Sequence, residues 1–374
     1  MAGLYIHIPF CKKACHYCNF HFSTNQKHKQ DFIEALCKEL QLRAKELSPV
    51  VFESVYFGGG TPSLLTTNDL NIIFQTIETY CQVSPNAEIT LEANPDDFTE
   101  DKLIMLSETP INRLSIGIQS FFDEDLKLMN RAHSAKEAHK CIQLATPYFD
   151  NITIDLLYGM PQMTNTRWRE NLQIAFDLGL NHLSSYALTV EPKTALEHFI
   201  KTDQHPPMDD AVAAAHFQIL VDETAKAGFT HYEVCSFGKP GYFSKHNSSY
   251  WLGKPYLGLG PSAHSFDGKK RSWNISNNKK YINALANDNL PLTSEILTPE
   301  NCFNEYLMTG LRTIWGVSLD RIEKEYGTAF QTQLLKNAQK HFDAKTLILD
   351  QNHLKTTQKG KFLCDGIASD LFML

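Results

Sequence analysis

Three cysteines stand close together near the N-terminus, at positions 11, 15 and 18, in the spacing C-x3-C-x2-C. Iron–sulfur clusters take cysteine thiolates as ligands, and a loop this short can wrap around one cluster. Three protein ligands leave one iron of a four-iron cubane open to a substrate or cofactor. A zinc site, which also favours cysteine ligands, is the alternative. The spacing therefore predicts a metal centre on Cys11, Cys15 and Cys18, with a [4Fe-4S] cluster favoured over zinc.

The triad follows a predicted strand, because Leu4, Ile6 and Ile8 alternate with other residues. A second predicted strand, residues 54–57, ends in the glycine-rich turn GGGT at 58–61, where backbone groups can approach a ligand closely. By itself this is only a tight turn. Together the two features resemble the radical SAM enzymes. In those enzymes S-adenosylmethionine (SAM) occupies the open iron, and one electron from the cluster cleaves its sulfonium.

Four polar residues lie at or shortly after the ends of later predicted strands: Glu92, Gln119, Arg131 and Asp155. At the mouth of a barrel such side chains could bond ribose hydroxyls or a carboxylate. The alternative is ordinary surface polarity or a structural ion pair.

Strand and helix patterns alternate from the N-terminus to about residue 235, which predicts a parallel sheet with outer helices. The first helix is expected at about 29–47, and Ser134 and Glu137 have the spacing of a capping box. We expect an α/β fold with a partial (β/α)6 barrel that gathers ligands at the C-terminal ends of its strands. An open doubly wound sheet is the alternative.

Composition and periodicity divide the whole chain into three regions. Residues 1–237 form the expected barrel core. Residues 238–276 are rich in Gly, Pro, Tyr and Ser without helical periodicity, which predicts a long functional loop over 238–266. Residues 277–374 predict a smaller, mainly helical domain whose order of elements resembles a winged helix.

Composition excludes several classes of function. The chain has 374 residues and 43% hydrophobic content, enough for an ordinary globular core. A net charge of −7 gives no basic field for nucleic acid, and no apolar run approaches the length of a membrane span. No targeting segment is visible. Six of the nine cysteines are scattered, which favours a reducing cytoplasm over a disulfide framework.

Longer motifs extend the resemblance over almost the whole chain. YIHIPFC, GGGTPS, LEANP, SIGIQSF and IDLLYGMP are similar to the oxygen-independent coproporphyrinogen III oxidase family. The resemblance implies that Tyr5, Gly59 and Glu92 hold the cluster-bound SAM. It also matches the positions that contact a second SAM in the oxidase, which are Tyr17, Gly60, Thr61, Gln119, Arg131 and Asp155. Whether this chain binds one SAM molecule or two stays open.

One position departs from the decarboxylating oxidase, in which a fourth cysteine stands where this chain has Phe20. The chain instead resembles a branch of the family that binds and delivers heme and carries the motif H-N-x-x-Y-W. That motif is present at 246–251. Neutral imidazole can ligate heme iron, and aromatic faces can cover a porphyrin, so the resemblance makes His246, Tyr250 and Trp251 the expected heme-binding residues. A hydrogen-bonded structural histidine is the alternative.

The resemblance thus implies a cytoplasmic heme chaperone with a [4Fe-4S] cluster, SAM and heme. Its expected partners are heme and apo-hemoprotein acceptors, including those of the respiratory chain, and not nucleic acid. Association with a membrane through such acceptors and a homodimer both stay open. Two alternatives remain: a coproporphyrinogen III dehydrogenase, and a zinc-stapled binding module.

Overall fold

The computed structural model describes residues 2–46 and 50–373. Its first six strands lie side by side in chain order, and each neighbouring pair is parallel. These strands are β1 (Ala2–Ile8), β2 (Val51–Gly59), β3 (Gln82–Ala93), β4 (Arg113–Gln119), β5 (Asn151–Tyr158) and β6 (His182–Ala187). The helices that accompany them are α1 (Lys29–Arg43), α2 (Thr67–Tyr80), α3 (Glu100–Ser107), α4 (Asp123–Leu128), α5 (Ala135–Ala145), α6 (Asn165–Asp177), α7 (Ala195–Lys201) and α8 (Asp210–Lys226). The partial barrel is confirmed.

The side chains of β1 point alternately to the hydrophobic core and to a cavity. Leu4, Ile6 and Ile8 are fully buried in the core, whereas Tyr5 and His7 line a cavity on the other face. Local signals start the helices: the capping box of α5 is present as expected, and α1 ends at Arg43. The end of the predicted first helix, Leu47, lies outside the described residues.

Six further strands bring the sheet to twelve, and five of these six lie beyond the alternating pattern that ends at about residue 235. Two of them follow β6 at one edge, and four extend the sheet beyond β1, with the first of these parallel to β1. They are β7 (Thr230–Glu233), β8 (Ser236–Gly238), β9 (Tyr256–Leu259), β10 (His264–Phe266), β11 (Lys270–Asn274) and β12 (Leu292–Ile296), with helices α9 (Lys245–Trp251) and α10 (Asn278–Leu285) between them. The expectation of one continuous loop over 238–266 is therefore wrong.

A buried ion pair on α1 holds the segment around Gly258 and Gly260 against the barrel. Arg43 and Glu39 lie 2.8 Å apart and are both fully buried. Arg43 also donates to the carbonyl of Gly258 at 2.8 Å, and Glu39 accepts from the amide of Gly260 at 2.8 Å. The backbone groups of Gly258 and Gly260 thus satisfy the buried charges of Arg43 and Glu39 from about 220 residues away in the sequence. Local periodicity does not predict contacts over such a distance.

The C-terminal region has its own hydrophobic core, centred on Phe303, Leu307 and Leu354. A three-stranded antiparallel sheet packs there with the helices, which confirms a smaller, mainly helical region. The expected start of this region at residue 277 is wrong, because α10 packs in the main core and β12 belongs to the large sheet. Its elements are α11 (Pro299–Leu311), β13 (Val317–Ser318), α12 (Leu319–Tyr326), α13 (Thr328–Asp343), β14 (Leu347–Asp350), β15 (His353–Thr356), α14 (Gln358–Lys361) and α15 (Cys364–Asp370). Within residues 2–46 and 50–373, no helix is long and apolar enough to cross a membrane.

Candidate functional site

The cysteine loop joins β1 to α1 and is closed at its base by two backbone hydrogen bonds. The amide of Cys11 donates to the carbonyl of Ser23 at 3.1 Å, and the amide of Ser23 donates to the carbonyl of Pro9 at 2.8 Å. Cys11, Cys15 and Cys18 are all partly exposed and line one cavity of about 430 Å³. The structure therefore brings the three thiols to the same wall.

Two side chains direct hydrogen bonds at the sulfur atoms. Thr61 Oγ1 donates to Cys11 Sγ at 3.5 Å, and Arg131 Nη1 donates to Cys15 Sγ at 3.3 Å. Burial raises the pKa of Cys11 to about 11, and the hydrogen bond from Thr61 opposes this rise. Such donors stabilise a thiolate, which is the form that binds metal, so the donor set fits a cluster. In the described part of the chain, no three His, Cys, Asp or Glu side chains are arranged to hold a single ion.

The glycine turn at the end of β2 lies against the base of the cysteine loop. Gly59 has φ 107°, and a Cβ added there would stand 2.5 Å from His7 Nδ1. A Cβ on Gly60 would stand 2.6 Å from the carbonyl oxygen of Phe10. Only glycine fits both positions without strain. The Gly59 amide donates to Glu92 Oε2 at 3.2 Å.

Glu92 is a carboxylate that lines this cavity. Its Oε1 accepts a hydrogen bond from the hydroxyl of Tyr56 at 2.7 Å. Burial raises the pKa of Glu92 to about 7, and the negative charge of Asp155 raises it further against the opposing bond from Tyr56. Burial also raises the pKa of Asp155 to about 6, although Arg113 and Arg131 oppose this shift. A cation bound in the cavity would lower the pKa of both carboxyls and so favour their ionised forms.

The structure brings most of the sequence-predicted SAM residues together. Gln119 adopts φ 65° at the end of β4, a strained conformation that is typical of ligand sites, and it lines the same cavity. Tyr5 is the exception, because it lines a neighbouring, larger cavity. The residues that share the cysteine cavity are Tyr17, Gly59, Gly60, Thr61, Glu92, Gln119, Arg131 and Asp155.

Tyr5 still lies close to the residues that the sequence predicts to hold SAM. A Cβ built on Gly58 would stand 3.0 Å from Tyr5 Cε2 and 3.1 Å from Glu92 Oε1. Asn19 and Phe20 line both cavities. Tyr5, Asn19 and Phe20 therefore stand at the boundary between the two cavities.

Sequence reasoning missed Asn94 and Tyr186. Asn94 Oδ1 accepts from Arg131 Nη2 at 2.7 Å, and its Nδ2 lies 3.3 Å from Thr61 Oγ1. Asn94 therefore connects the two side chains that donate to the cysteine sulfurs. Its position one residue after β3 was the available signal. Tyr186 reaches the cavity from the end of β6, where a strand-end rule would also have found it.

The larger cavity has a volume of about 1120 Å³. Aromatic side chains from the barrel and from the C-terminal region line it, including Tyr250, Trp251, Tyr256 and Tyr306. Ligand pockets in proteins commonly measure roughly 300–1,000 Å³. This cavity is therefore large enough for a flat macrocycle.

The expected heme motif forms helix α9 and is not a loop. The carboxylate of Glu88 on β3 accepts from the first backbone amides of the helix, at 3.1 Å from Lys245 and 3.0 Å from His246. A buried carboxylate at a helix N-terminus satisfies amides that would otherwise lack partners. Tyr250 and Trp251 reach the larger cavity from this helix, and Arg312 of the C-terminal region lies 5.1 Å over the Trp251 ring.

His246 does not line that cavity with Tyr250 and Trp251. Its ring is buried, with Nδ1 2.8 Å from Ser54 Oγ and Nε2 2.8 Å from the Tyr250 hydroxyl. Burial lowers the pKa of His246 to about 3, so the ring is neutral. Both nitrogens have partners in the protein. Iron ligation by His246 would require one of these hydrogen bonds to break.

The comparisons with known proteins agree with this arrangement. Residues 5–175 match the model of the radical SAM superfamily, and residues 297–363 match the HemN C-terminal domain. The fold is similar to that of coproporphyrinogen III oxidase (HemN) from Escherichia coli, a radical SAM enzyme, with a TM-score of 0.87 over 100% of this chain and 90% of that one, at 24% identity. The chain is therefore a radical SAM protein, a superfamily that binds a [4Fe-4S] cluster and SAM.

Full-length relatives define the family within that class. The heme chaperone HemW of Bacillus subtilis is 32% identical over 97% of both chains. The heme chaperone HemW of Synechocystis is 34% identical over 84% of this chain and 78% of its own. This chain belongs to the HemW family.

Proposed function

We propose that this protein is a heme chaperone, which holds heme in the larger cavity and delivers it to hemoprotein acceptors. The observation that carries the proposal is that cavity, with its volume of about 1120 Å³ and its aromatic walls beside the cysteine cavity. A porphyrin is flat and largely apolar, so its burial against aromatic faces is favourable. The relatives named heme chaperones support the same function.

Within this function, Cys11, Cys15 and Cys18 would hold the cluster, with SAM beside it. When bound, the cluster supplies one-electron chemistry toward SAM. The carboxylate of Glu92 faces the space beside the glycine turn and would accept hydrogen bonds from the amino group of SAM. Binding of that cation would favour the ionised carboxylate.

The second group of residues would orient the rest of the cofactor. Gln119 reaches the cavity from the end of β4, Asp155 from within β5, and Arg131 from the segment between α4 and α5. They offer an amide, a cation and a carboxyl to hydroxyl or carboxylate groups. Tyr17, Gly60 and Thr61 line the same cavity.

On the heme side, Tyr250 and Trp251 would cover the macrocycle. His246 would act as an anchor, because its Nε2 holds the Tyr250 hydroxyl and its ring stacks on Tyr56 at 4.9 Å between centroids. Tyr5 would lie where the two cavities meet. We further propose that the chaperone works in the cytoplasm, meets membranes only through hemoprotein acceptors, and has no nucleic-acid partner, in keeping with its net charge of −7.

Heme titration of the anaerobically reconstituted protein tests the proposal. We expect stoichiometric binding with a Soret band distinct from that of free heme, followed by transfer to an apo-hemoprotein with recovery of its activity. Absence of saturable heme binding would reject the chaperone. Protoporphyrinogen formation from coproporphyrinogen III over many turnovers would instead support the dehydrogenase, and zinc in place of iron would support the binding module.

A further inference from the structure

The hairpin formed by β10 and β11 presents one face to the larger cavity. The register pairs His264 with Trp273 and Phe266 with Arg271, and it also pairs Phe266 with Tyr256 of β9. Directly opposed residues share a face of the sheet. His264, Phe266, Arg271 and Tyr256 therefore form a flat platform, and all four line the cavity. A planar ligand can lie against such a wall.

Three histidines line this cavity, and they differ in what their ring nitrogens contact. His7 has both nitrogens bonded, to the Tyr5 hydroxyl at 3.1 Å and to the His21 carbonyl at 2.9 Å. His21 has Nε2 bonded to Asn278 Oδ1 at 2.6 Å. Among residues 2–46 and 50–373, the His264 side chain makes no hydrogen bond, and it is exposed. His264 is thus the cavity histidine with both nitrogens available.

The surroundings of His264 favour the neutral form of its ring. Trp273 stacks on it with centroids 6.0 Å apart and an angle of 27°. Partial burial lowers the pKa of His264, and the positive charge of Arg271 lowers it further. Neutral imidazole is the form that ligates iron. Cys302 is a second soft donor on the cavity wall, but burial raises its pKa and favours the thiol over the thiolate.

The cavity also has a surplus of positive charge, although the whole chain is negative. Arg271 lies 2.5 Å from Glu305, and Arg321 lies 2.9 Å from Glu325, so each arginine has a carboxylate partner. The remaining two basic side chains form no salt bridge to any described residue; they are Lys254 and Lys269. Two unpaired ammonium groups match the two propionate carboxylates of heme.

We propose that His264 is the protein ligand of heme iron in this cavity, and that Lys254 and Lys269 bind the heme propionates. The inference rests on the proposed function and assigns a different iron ligand from His246. It places the iron over the hairpin platform. Lys269 lies in the turn of the same hairpin, and Lys254 follows helix α9, so the two ammonium groups approach from separate elements.

Three porphyrins separate the contributions of iron and propionates. Wild-type protein is titrated anaerobically with heme, with metal-free protoporphyrin IX and with the dimethyl ester of heme. His264→Ala should remove the Soret signature of imidazole ligation and lower heme affinity at least tenfold, while protoporphyrin IX affinity stays within twofold. The double variant Lys254→Gln/Lys269→Gln should weaken heme and protoporphyrin IX by at least fivefold each and leave the dimethyl ester unchanged.

Control variants distinguish this inference from the chaperone proposal. His28→Ala, at an exposed histidine that lines neither cavity, should match wild type. Retention of the wild-type Soret band by His264→Ala, or its loss in His21→Ala alone, would overturn the assignment of His264 while leaving heme binding intact. Equal weakening of heme and its dimethyl ester by the lysine variant would overturn the propionate site. Failure of wild type to bind heme would overturn both the inference and the proposed function.

Discussion

Nδ1 of His246 lies 2.8 Å from Oγ of Ser54, in the buried contact between α9 and β2. The other ring nitrogen holds the hydroxyl of Tyr250, which does face the larger cavity. The histidine of the expected heme motif thus connects the barrel to a residue of the cavity wall. Its effect on heme binding would pass through Tyr250 and the position of helix α9.

His246→Ala should therefore destabilise the protein before any heme is added. It removes a stacked, buried ring and leaves the hydroxyls of Ser54 and Tyr250 without their partner, at a cost of about 2–4 kcal/mol. Denaturant unfolding of the heme-free protein measures this loss. Lys245→Ala, an exposed position on the same helix, should change stability by less than about 0.5 kcal/mol. An unchanged stability combined with complete loss of the heme Soret band would instead identify His246 as a direct ligand.

The cysteine triad predicts iron content directly. Anaerobically reconstituted wild type should contain about four iron atoms per chain and be brown. Cys11→Ala, Cys15→Ala and Cys18→Ala should each lose the colour and most of the iron, as measured by iron analysis and absorption near the cluster bands. Cys81→Ala is the matched control, since Cys81 lines neither cavity. Full iron content in the single triad variants would contradict the assignment.

The raised pKa of Glu92 makes the stability of the apoprotein depend on pH. An unfolded glutamic acid loses its proton near its ordinary pKa, whereas folded Glu92 retains it up to about pH 7. Stability therefore falls as pH rises through this window, and the full cost is present above pH 7. Glu92→Gln should leave stability at pH 4.5 nearly unchanged and raise it at pH 8 by about 1–3 kcal/mol.

Thermal melts of wild type and Glu92→Gln at the two pH values measure this difference. Glu78→Gln, at an exposed glutamate on α2, should show the same small effect at both pH values. If Glu92→Gln were no more stabilising at pH 8 than at pH 4.5, Glu92 would be ionised in the folded apoprotein across that range. The same variant should weaken SAM binding, because it removes the carboxylate proposed to hold the amino group.

The glycine turn predicts a steric effect that is independent of charge. Gly59→Ala places a methyl group 2.5 Å from the His7 ring and imposes φ 107° on a residue with a side chain. We expect a loss of about 1–3 kcal/mol in stability and a loss of SAM binding, measured by unfolding and by calorimetry. Gly366→Ala is the control, because nothing lies within 4 Å of its added Cβ and it stands in helix α15. That variant should be neutral or more stable.

Local sequence features predicted the barrel and much of the cysteine cavity because their signals are short in range. The alternation in β1, the cysteine spacing and the glycine turn are each contained within a short stretch of the chain. The four strands beyond β1 and helix α9 were missed because their partners are remote: Glu39 and Arg43 hold the residues around Gly258 and Gly260, and Glu88 caps α9. Long-range burial of charged groups leaves no periodic pattern in the sequence.

Phe20 supplies the last prediction. It stands where the related oxidase has a cysteine, it is 68% exposed, and its ring lines both cavities. Wild-type protein with its cluster and SAM should not accumulate protoporphyrinogen from coproporphyrinogen III in an anaerobic assay. Product formed over many turnovers would contradict this expectation.

The heme-binding role of the ring is tested separately with Phe20→Ala. The exposed side chain contributes little to folding, so stability should change by less than about 0.5 kcal/mol. Heme affinity should fall severalfold, because an aromatic face at the cavity boundary would be lost. Ile104→Ala, an exposed apolar residue that lines neither cavity, is the control and should bind heme as wild type does. Unchanged heme affinity in Phe20→Ala would place the macrocycle away from the cysteine loop, toward the hairpin and the C-terminal wall.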